Sequence, residues 1–428
     1  MSWKGYTFAY LPGQVTAIPA GEIAFLEEST RRIESRFGYG ARYLTRSNAI
    51  PIDPINLPLS CLPGSEREYV QPEFGALRDD EPDFWGRRVI EARLNLTPDA
   101  SPESMYLLAA GPHRFGALDF RPKLDSPETA SVLPELLRLE YLVEAADRIQ
   151  EGLPIPESLA EIFGVSSMGG ARPKALVTHQ GQQYLAKFPA KGDGFNVPVV
   201  ERAVLELARK AGMDVPDLDL VKLADGRDVM LIRRFDRSAQ PHGEFARHHC
   251  VSALTMLGKH QNESLGTPYK DISEAIGIYG VNNQVATDRA ELYRRIAFSI
   301  LVSNDDDHLR NHAFIWDAKS QGWRLSPLYD VVPHPQVATE RTLHLSIGPR
   351  GRHATLDNLF DAHGDFGLLK PHAADILEHV ATVVREWKNT FDEYNVPPEE
   401  IKKVTSAFRS PKDVGLSIVE RTRNKSQV

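Results

Sequence analysis

The first ~125 residues carry short apolar stretches broken by Pro and Gly, as in Ile50-Pro51-Ile52-Asp53-Pro54-Ile55 and Leu57-Pro58-Leu59, and predict mixed β and loop. Arg114 to Phe120 predicts a strand closing this region. After Pro134 the period changes. Leu136, Leu139, Leu142, Val143, Ala146 and Ile149 recur at helical spacing, and Gly152 to Pro156 follow as a linker. A glycine-containing loop spans Ser166 to Lys174, and Tyr184 to Phe188 predicts a strand. Val200, Ala203, Val204, Leu207 and Ala211 line one face of a helix over Val199–Ala211, ended by Gly212. Val229 to Ile232 predicts another strand. Further on, Leu292, Ile296, Ala297 and Ile300 form an apolar face leading into Ser303. His312–Trp316 and Trp323–Leu328 predict a hairpin with a polar tip, and helices resume from Ala373 to Tyr394.

Charge narrows the function classes. Lys and Arg total 50 against 58 Asp and Glu, a net charge of −8, which argues against a large nucleic-acid-binding face. Cys61 and Cys250 are far apart and in no metal-ligand spacing, so a reduced, cytoplasmic setting is expected. The start, MSWKGYTFAYLPG, shows no secretory pattern, and no apolar run is long enough to span a membrane.

The chemistry concentrates in Asn304-Asp305-Asp306-Asp307-His308-Leu309-Arg310-Asn311. Three adjacent carboxylates between an apolar helix face and an apolar strand are costly to bury without positive charge among them. Phosphoryl transfer needs a carboxylate for the attacking hydroxyl, a carboxylate and an amide oxygen for magnesium, and a lysine for the ATP phosphates. Asp306 and Asn311 stand five residues apart, the separation of base and metal-binding Asn in protein kinases. Asp330 arrives after the hairpin as a second metal carboxylate. Lys187 on its strand and Glu201 on the next helix supply the phosphate-binding ion pair.

Taken singly, each residue has a plainer reading. Asp305 to Asp307 also reads as an acidic turn, Lys187 as a strand-edge lysine, and Glu201 as a carboxylate favoured by a helix start. His308 joins the catalytic set, but structural hydrogen bonding is favoured for it because Asp306 already serves as base. His248 and His249 are expected to carry no chemistry. His308 and His312 share zinc-pair spacing, but Leu309 stands where a metalloprotease needs Glu. No P-loop motif is present, and Gly169-Gly170-Ala171 lacks the G-x-G-x-x-G pattern.

Together these residues resemble the HipA family of toxin kinases. Ser167-Met168-Gly169-Gly170-Ala171-Arg172-Pro173-Lys174 resembles its serine-bearing phosphate loop, and Ala186-Lys187-Phe188-Pro189 its ATP-lysine strand. Arg234-Phe235-Asp236-Arg237 resembles its R-F-D-R signature. Asn304-x-Asp306-x-His308-x-x-Asn311 resembles its catalytic loop, and Pro327-Leu328-Tyr329-Asp330 its metal segment. Phe115 to Leu118 and Pro82-Asp83-x-Trp85-Gly86-Arg87 resemble its N-terminal domain.

The resemblance implies an α+β fold with a small β-rich ATP lobe, a helical C-terminal lobe, and an extra N-terminal mixed α/β domain. The expected boundaries are 1–125, 126–240 and 241–428. It implies that Asp306 is the base and that Asn311 and Asp330 bind Mg2+. Lys187, Gly169, Gly170, Ala171 and Lys174 would contact ATP phosphates, and Ile232, Arg233 and Phe235 would hold adenine. Ser167 would be the inactivating autophosphorylation site, with Ser166 as a second candidate. The implied partners are a HipB-like helix-turn-helix antitoxin, which would carry DNA binding, and a protein substrate such as an aminoacyl-tRNA synthetase. A kinase for a small molecule or lipid, and a catalytically inactive ATP-binding module, remain the alternatives.

Overall fold

The structure is a computed structural model that describes residues 2–59, 68–128, 133–156 and 170–425, with side chains described through 420. Helices and antiparallel sheets divide between two compact units. One comprises Met1–Lys191 with Val221–Gly258, the other Gly192–Leu220 with Lys259–Val428.

The first unit contains a five-stranded sheet in the order β4-β3-β2-β1-β5, with β1 Ser2–Tyr10, β2 Ala17–Glu28, β3 Arg31–Tyr39, β4 Glu68–Gln71 and β5 Leu118–Arg121. Period-two alternation sets the faces: Ile23, Phe25 and Glu27 are buried along β2, while Glu22, Leu26 and Glu28 are exposed. The buried Glu27 is satisfied by Ser104, whose backbone N and Oγ donate at 2.8 and 2.7 Å. Gly21 faces β3 so closely that a Cβ there would lie 2.4 Å from Gly38 O, which requires glycine.

Two expectations for this region need correction. Arg114 to Ala117 is loop rather than strand, and β5 begins only at Leu118. The loop follows from Gly116, which has φ +76° and donates its N–H to Asp236 rather than to a strand neighbour. The stretch expected as β and loop also holds helices at Gly75–Asp80, Phe84–Leu94 and Glu103–Ala109. Their apolar stripes are interrupted by buried acidic residues, several of which accept hydrogen bonds from polar neighbours. Glu91, for example, accepts from Tyr106 Oη at 2.5 Å.

A second sheet runs in the order β6-β7-β9-β8, with β6 Lys174–His179, β7 Gln182–Lys187, β8 Leu218–Lys222 and β9 Asp228–Arg233. The helix Leu139–Glu151 lays Leu142, Val143, Ala146 and Ile149 into one core with Val177, Ala186, Val229 and Leu231 of this sheet and Trp85, Val89 and Ile90 of the Phe84–Leu94 helix. The apolar face predicted after Pro134 is this packing face.

In the second unit the helix Val197–Lys210 starts on an Asn196 cap and ends before Gly212, whose φ is +82°. The helix Val285–Val302 is buried on almost every side, as its dense apolar content demands. It stops where Ser303 turns left-handed at φ 55°. The expected hairpin is present as Ala313–Asp317 and Gly322–Leu325, with Trp316 opposite Trp323 and a polar tip at 318–321. Helices Lys370–Arg385 and Trp387–Glu393 occupy the expected C-terminal helical stretch.

Candidate active site

The loop after Ser303 sorts the three aspartates into different environments. Asp305 is held from the side: Oδ1 contacts His334 Nδ1, and Oδ2 accepts from Gln336 Nε2. Asp307 is buried beneath the loop, where Oδ2 accepts from Tyr269 Oη and, at 3.4 Å, from Ser299 Oγ. His312 Nε2 lies 3.0 Å from Asp307 Oδ1. Burial alone would raise the Asp307 carboxyl, but His312 and Tyr269 outweigh it and hold it below the usual carboxylate range. Asp306, between them, is exposed, and its carboxylate accepts no hydrogen bond among the described residues.

The loop backbone is tied at both ends. Asn304 N donates to Ser299 O at 3.0 Å, and His334 N donates to Ser303 O at 3.0 Å. His308 N donates to Asp306 O at 2.8 Å, and Asn311 Nδ2 donates to the same carbonyl at 3.0 Å. That bond orients the Asn311 amide and leaves its oxygen without a partner among the described residues, the chemistry a hard cation needs. Leu309 N donates to Ser264 Oγ, which also meets His344 Nε2 at 3.1 Å. The His308 ring packs edge-on to His344 with centroids 5.8 Å apart, and its buried Nδ1 has no hydrogen-bond partner among the described residues. Burial, and then the neighbouring His308, hold His344 below the ordinary histidine range.

The segment after the hairpin is joined to this loop, since Tyr329 Oη donates to Arg310 O at 2.8 Å. Asp330, the next residue, has a left-handed backbone, φ 58°, which is costly for a residue with a Cβ. The second unit therefore brings together Asp306, Asn311 and the Asp330 segment. It also holds Glu201, buried on the Val197–Lys210 helix.

The first unit carries the remaining candidates. Lys187 pairs in register with Lys174 and Met230, and Ile232 with Leu185. Arg233 is exposed at the end of β9, and Phe235 meets Phe115 edge-on at 5.9 Å. Gly170 and Ala171 are exposed. Lys174, expected as a phosphate contact, is instead almost fully buried with its ammonium on Asp83. Ser166, Ser167 and Gly169 lie outside the described residues.

The R-F-D-R segment is a buried charge knot. Asp236 accepts from Arg234 Nε at 2.9 Å, Arg237 Nη1 at 2.8 Å and Gly116 N at 2.9 Å. Arg114 O receives Arg234 Nη2 at 2.7 Å and Arg237 Nη2 at 2.6 Å. Burial would raise Asp236; the two arginines overcome it and hold the carboxyl far below its ordinary value.

Comparison with known proteins decides the family. The HipA-like C-terminal domain model matches residues 166–387, just over half of the chain. The chain belongs to the HipA family. Y4mE of Sinorhizobium fredii (strain NBRC 101917 / NGR234), named a candidate kinase, is 27% identical over 354 residues, 77% of this chain and 78% of Y4mE. A candidate kinase of Haemophilus influenzae is 30% identical over 180 residues, 39% of this chain and 51% of that protein. Among solved structures, HipA of Shewanella oneidensis MR-1, in complex with HipB and operator DNA, matches with a TM-score of 0.65 over 97% of both chains at 18% identity. That likeness establishes the HipA-type α+β fold for this HipA-family chain. Among the described residues no helix is long and apolar enough to cross a membrane.

Sequence reasoning passed over the residues that hold the site. Tyr269 and His334 carried no local signal, because their partners lie 38 and 29 positions away. His312 was visible only as a failed zinc spacing.

Proposed function

We propose that this HipA-family chain is a Mg-ATP-dependent serine/threonine protein kinase with Asp306 as its base. The supporting observation is the division among the three aspartates: Asp305 and Asp307 are fastened to neighbours, while Asp306 is presented to solvent with an unoccupied carboxylate. An exposed carboxylate on a loop whose backbone is tied down suits accepting the proton of an incoming hydroxyl. ATP would supply the γ-phosphoryl group, and magnesium would neutralise its charge. Asn311 through its amide oxygen and Asp330 through its carboxylate would hold the metal. Lys187 would contact the phosphates, Glu201 would orient Lys187, and Ile232 to Phe235 would hold adenine.

On this reading the three functional divisions are 1–125, 126–240 and 241–428. Ser167, with Ser166 beside it, is the proposed autophosphorylation site, and a phosphate there would add roughly −1.5 to −2 charge to the phosphate loop. A HipB-like antitoxin partner, a cytoplasmic setting and a translation-factor substrate such as an aminoacyl-tRNA synthetase complete the proposal. The antitoxin reading is supported by the Shewanella complex.

Incubating the purified chain with radiolabelled ATP and Mg2+ tests the proposal. Label on Ser167 is expected, and Asp306→Asn should lower transfer by about 10²–10³ while nucleotide still binds. Transfer by Asp306→Asn at the parent rate would remove Asp306 as base. Label passing only to a small molecule would favour the other kinase class.

A further inference from the structure

Lys174 stands at the exit of the phosphate loop, yet its ammonium turns inward. Nζ forms an ion pair with Asp83 Oδ2, the two side chains being 2% and 3% exposed, and donates to Gly170 O at 2.9 Å. The Lys174 carbonyl accepts from Trp85 Nε1 at 2.8 Å. Residues 83 and 85 thus grip both the side chain and the backbone of a residue some ninety positions later. Asp83 is itself fixed as the cap of the Phe84–Leu94 helix, where Oδ1 accepts from Gly86 N at 2.6 Å. Gly170 has φ +112°, and a Cβ there would lie 3.2 Å from Lys174 Nζ, so the close approach of loop to ammonium depends on glycine.

From these contacts we infer that Asp83 is a positioning residue for nucleotide binding, acting through Lys174 to latch the exit of the phosphate loop at Gly170. The inference rests on the kinase reading above. Lys174 opens β6 and pairs with Lys187 on β7, and Phe188 N donates to Pro173 O at 3.0 Å, so the latched end is in register with the strand bearing the phosphate lysine. Neutralising Asp83 removes the charge that pairs with this buried ammonium and so weakens its hold on Gly170. A loosened Gly170 has to be re-ordered when nucleotide binds, which weakens ground state and transition state equally and so raises KM rather than lowering kcat. Because the helix carrying Asp83 packs into the core of its unit through Trp85, Val89 and Ile90, the latch ties the N-terminal region to the nucleotide loop.

Steady-state Mg-ATP turnover by the full chain tests this. Asp83→Asn should raise KM for ATP about tenfold, the equivalent of ordering one or two side chains, with kcat within about threefold. Asp83→Glu, which keeps the charge but displaces it by a methylene, should raise KM by an intermediate amount. An unchanged KM in Asp83→Asn, or a loss in kcat as large as the rise in KM, overturns the latch. Should Asp83→Asn give no soluble protein, Asp83→Glu decides alone: a raised KM supports the latch and an unchanged one overturns it. A parent chain that neither binds nor turns over Mg-ATP would instead remove the kinase reading, before any variant is compared.

Discussion

Asn311 donates through Nδ2 to the backbone carbonyl of Asp306 at 3.0 Å, so one amide braces the loop and keeps its oxygen for another partner. Asn311→Ala removes the brace and the metal oxygen together. Phosphoryl transfer should fall by about 10²–10³, and stability by about 1 kcal/mol, since the buried side chain loses its bond to the Asp306 carbonyl. Parallel radiolabel transfer and melting curves read the two effects, and an unimpaired rate would mean Asn311 has no part in transfer.

Tyr269 and Asp307 form the support beneath the loop. Tyr269→Phe keeps the packing and deletes the hydroxyl, leaving buried Asp307 Oδ2 short of a donor. The expected cost is about 1–3 kcal/mol of stability, read by urea unfolding. Turnover should drop as well, because Asp307 neighbours the proposed base. Wild-type stability in Tyr269→Phe would count against this support.

Asp236 neutralises two buried arginines. Asp236→Asn should destabilise the protein by about 3–5 kcal/mol, as removing one partner of a buried ion pair typically does. The carboxyl is depressed in the fold, so its contribution is present above the unfolded carboxylate range and is lost as pH falls toward the folded value. The parent should therefore lose stability in acid more steeply than Asp236→Asn, which calorimetry across pH would show.

His249 is a second acid-sensitive group. Burial, partly offset by its bond to Ile52 O at 2.9 Å, lowers it from 6.5 to about 4. Between those values the unfolded chain binds the extra proton, so stability declines as pH drops from 6.5 to 4, by about 3 kcal/mol in all. His249→Gln retains a donor for Ile52 O and should flatten that slope in pH-dependent unfolding. An identical slope in both proteins would assign the sensitivity elsewhere.

Local pattern alone determined much of this protein. The helix face of Leu142, Val143, Ala146 and Ile149, the Ala313–Leu325 hairpin and the helix entering Ser303 were legible because periodicity and turn chemistry act over a few residues. The Asp306–Asn311 spacing and the R-F-D-R signature were legible for the same reason. Tertiary structure decided which of three chemically identical aspartates faces solvent, since that depends on Tyr269, His312, His334 and Gln336 reaching the loop from other elements. It decided that Lys174 turns to Asp83, and that Gly116 breaks the expected strand to serve Asp236. Burial and charge pairing are set by residues distant in sequence, so a carboxylate or ammonium acquires its environment only when the chain has folded around it.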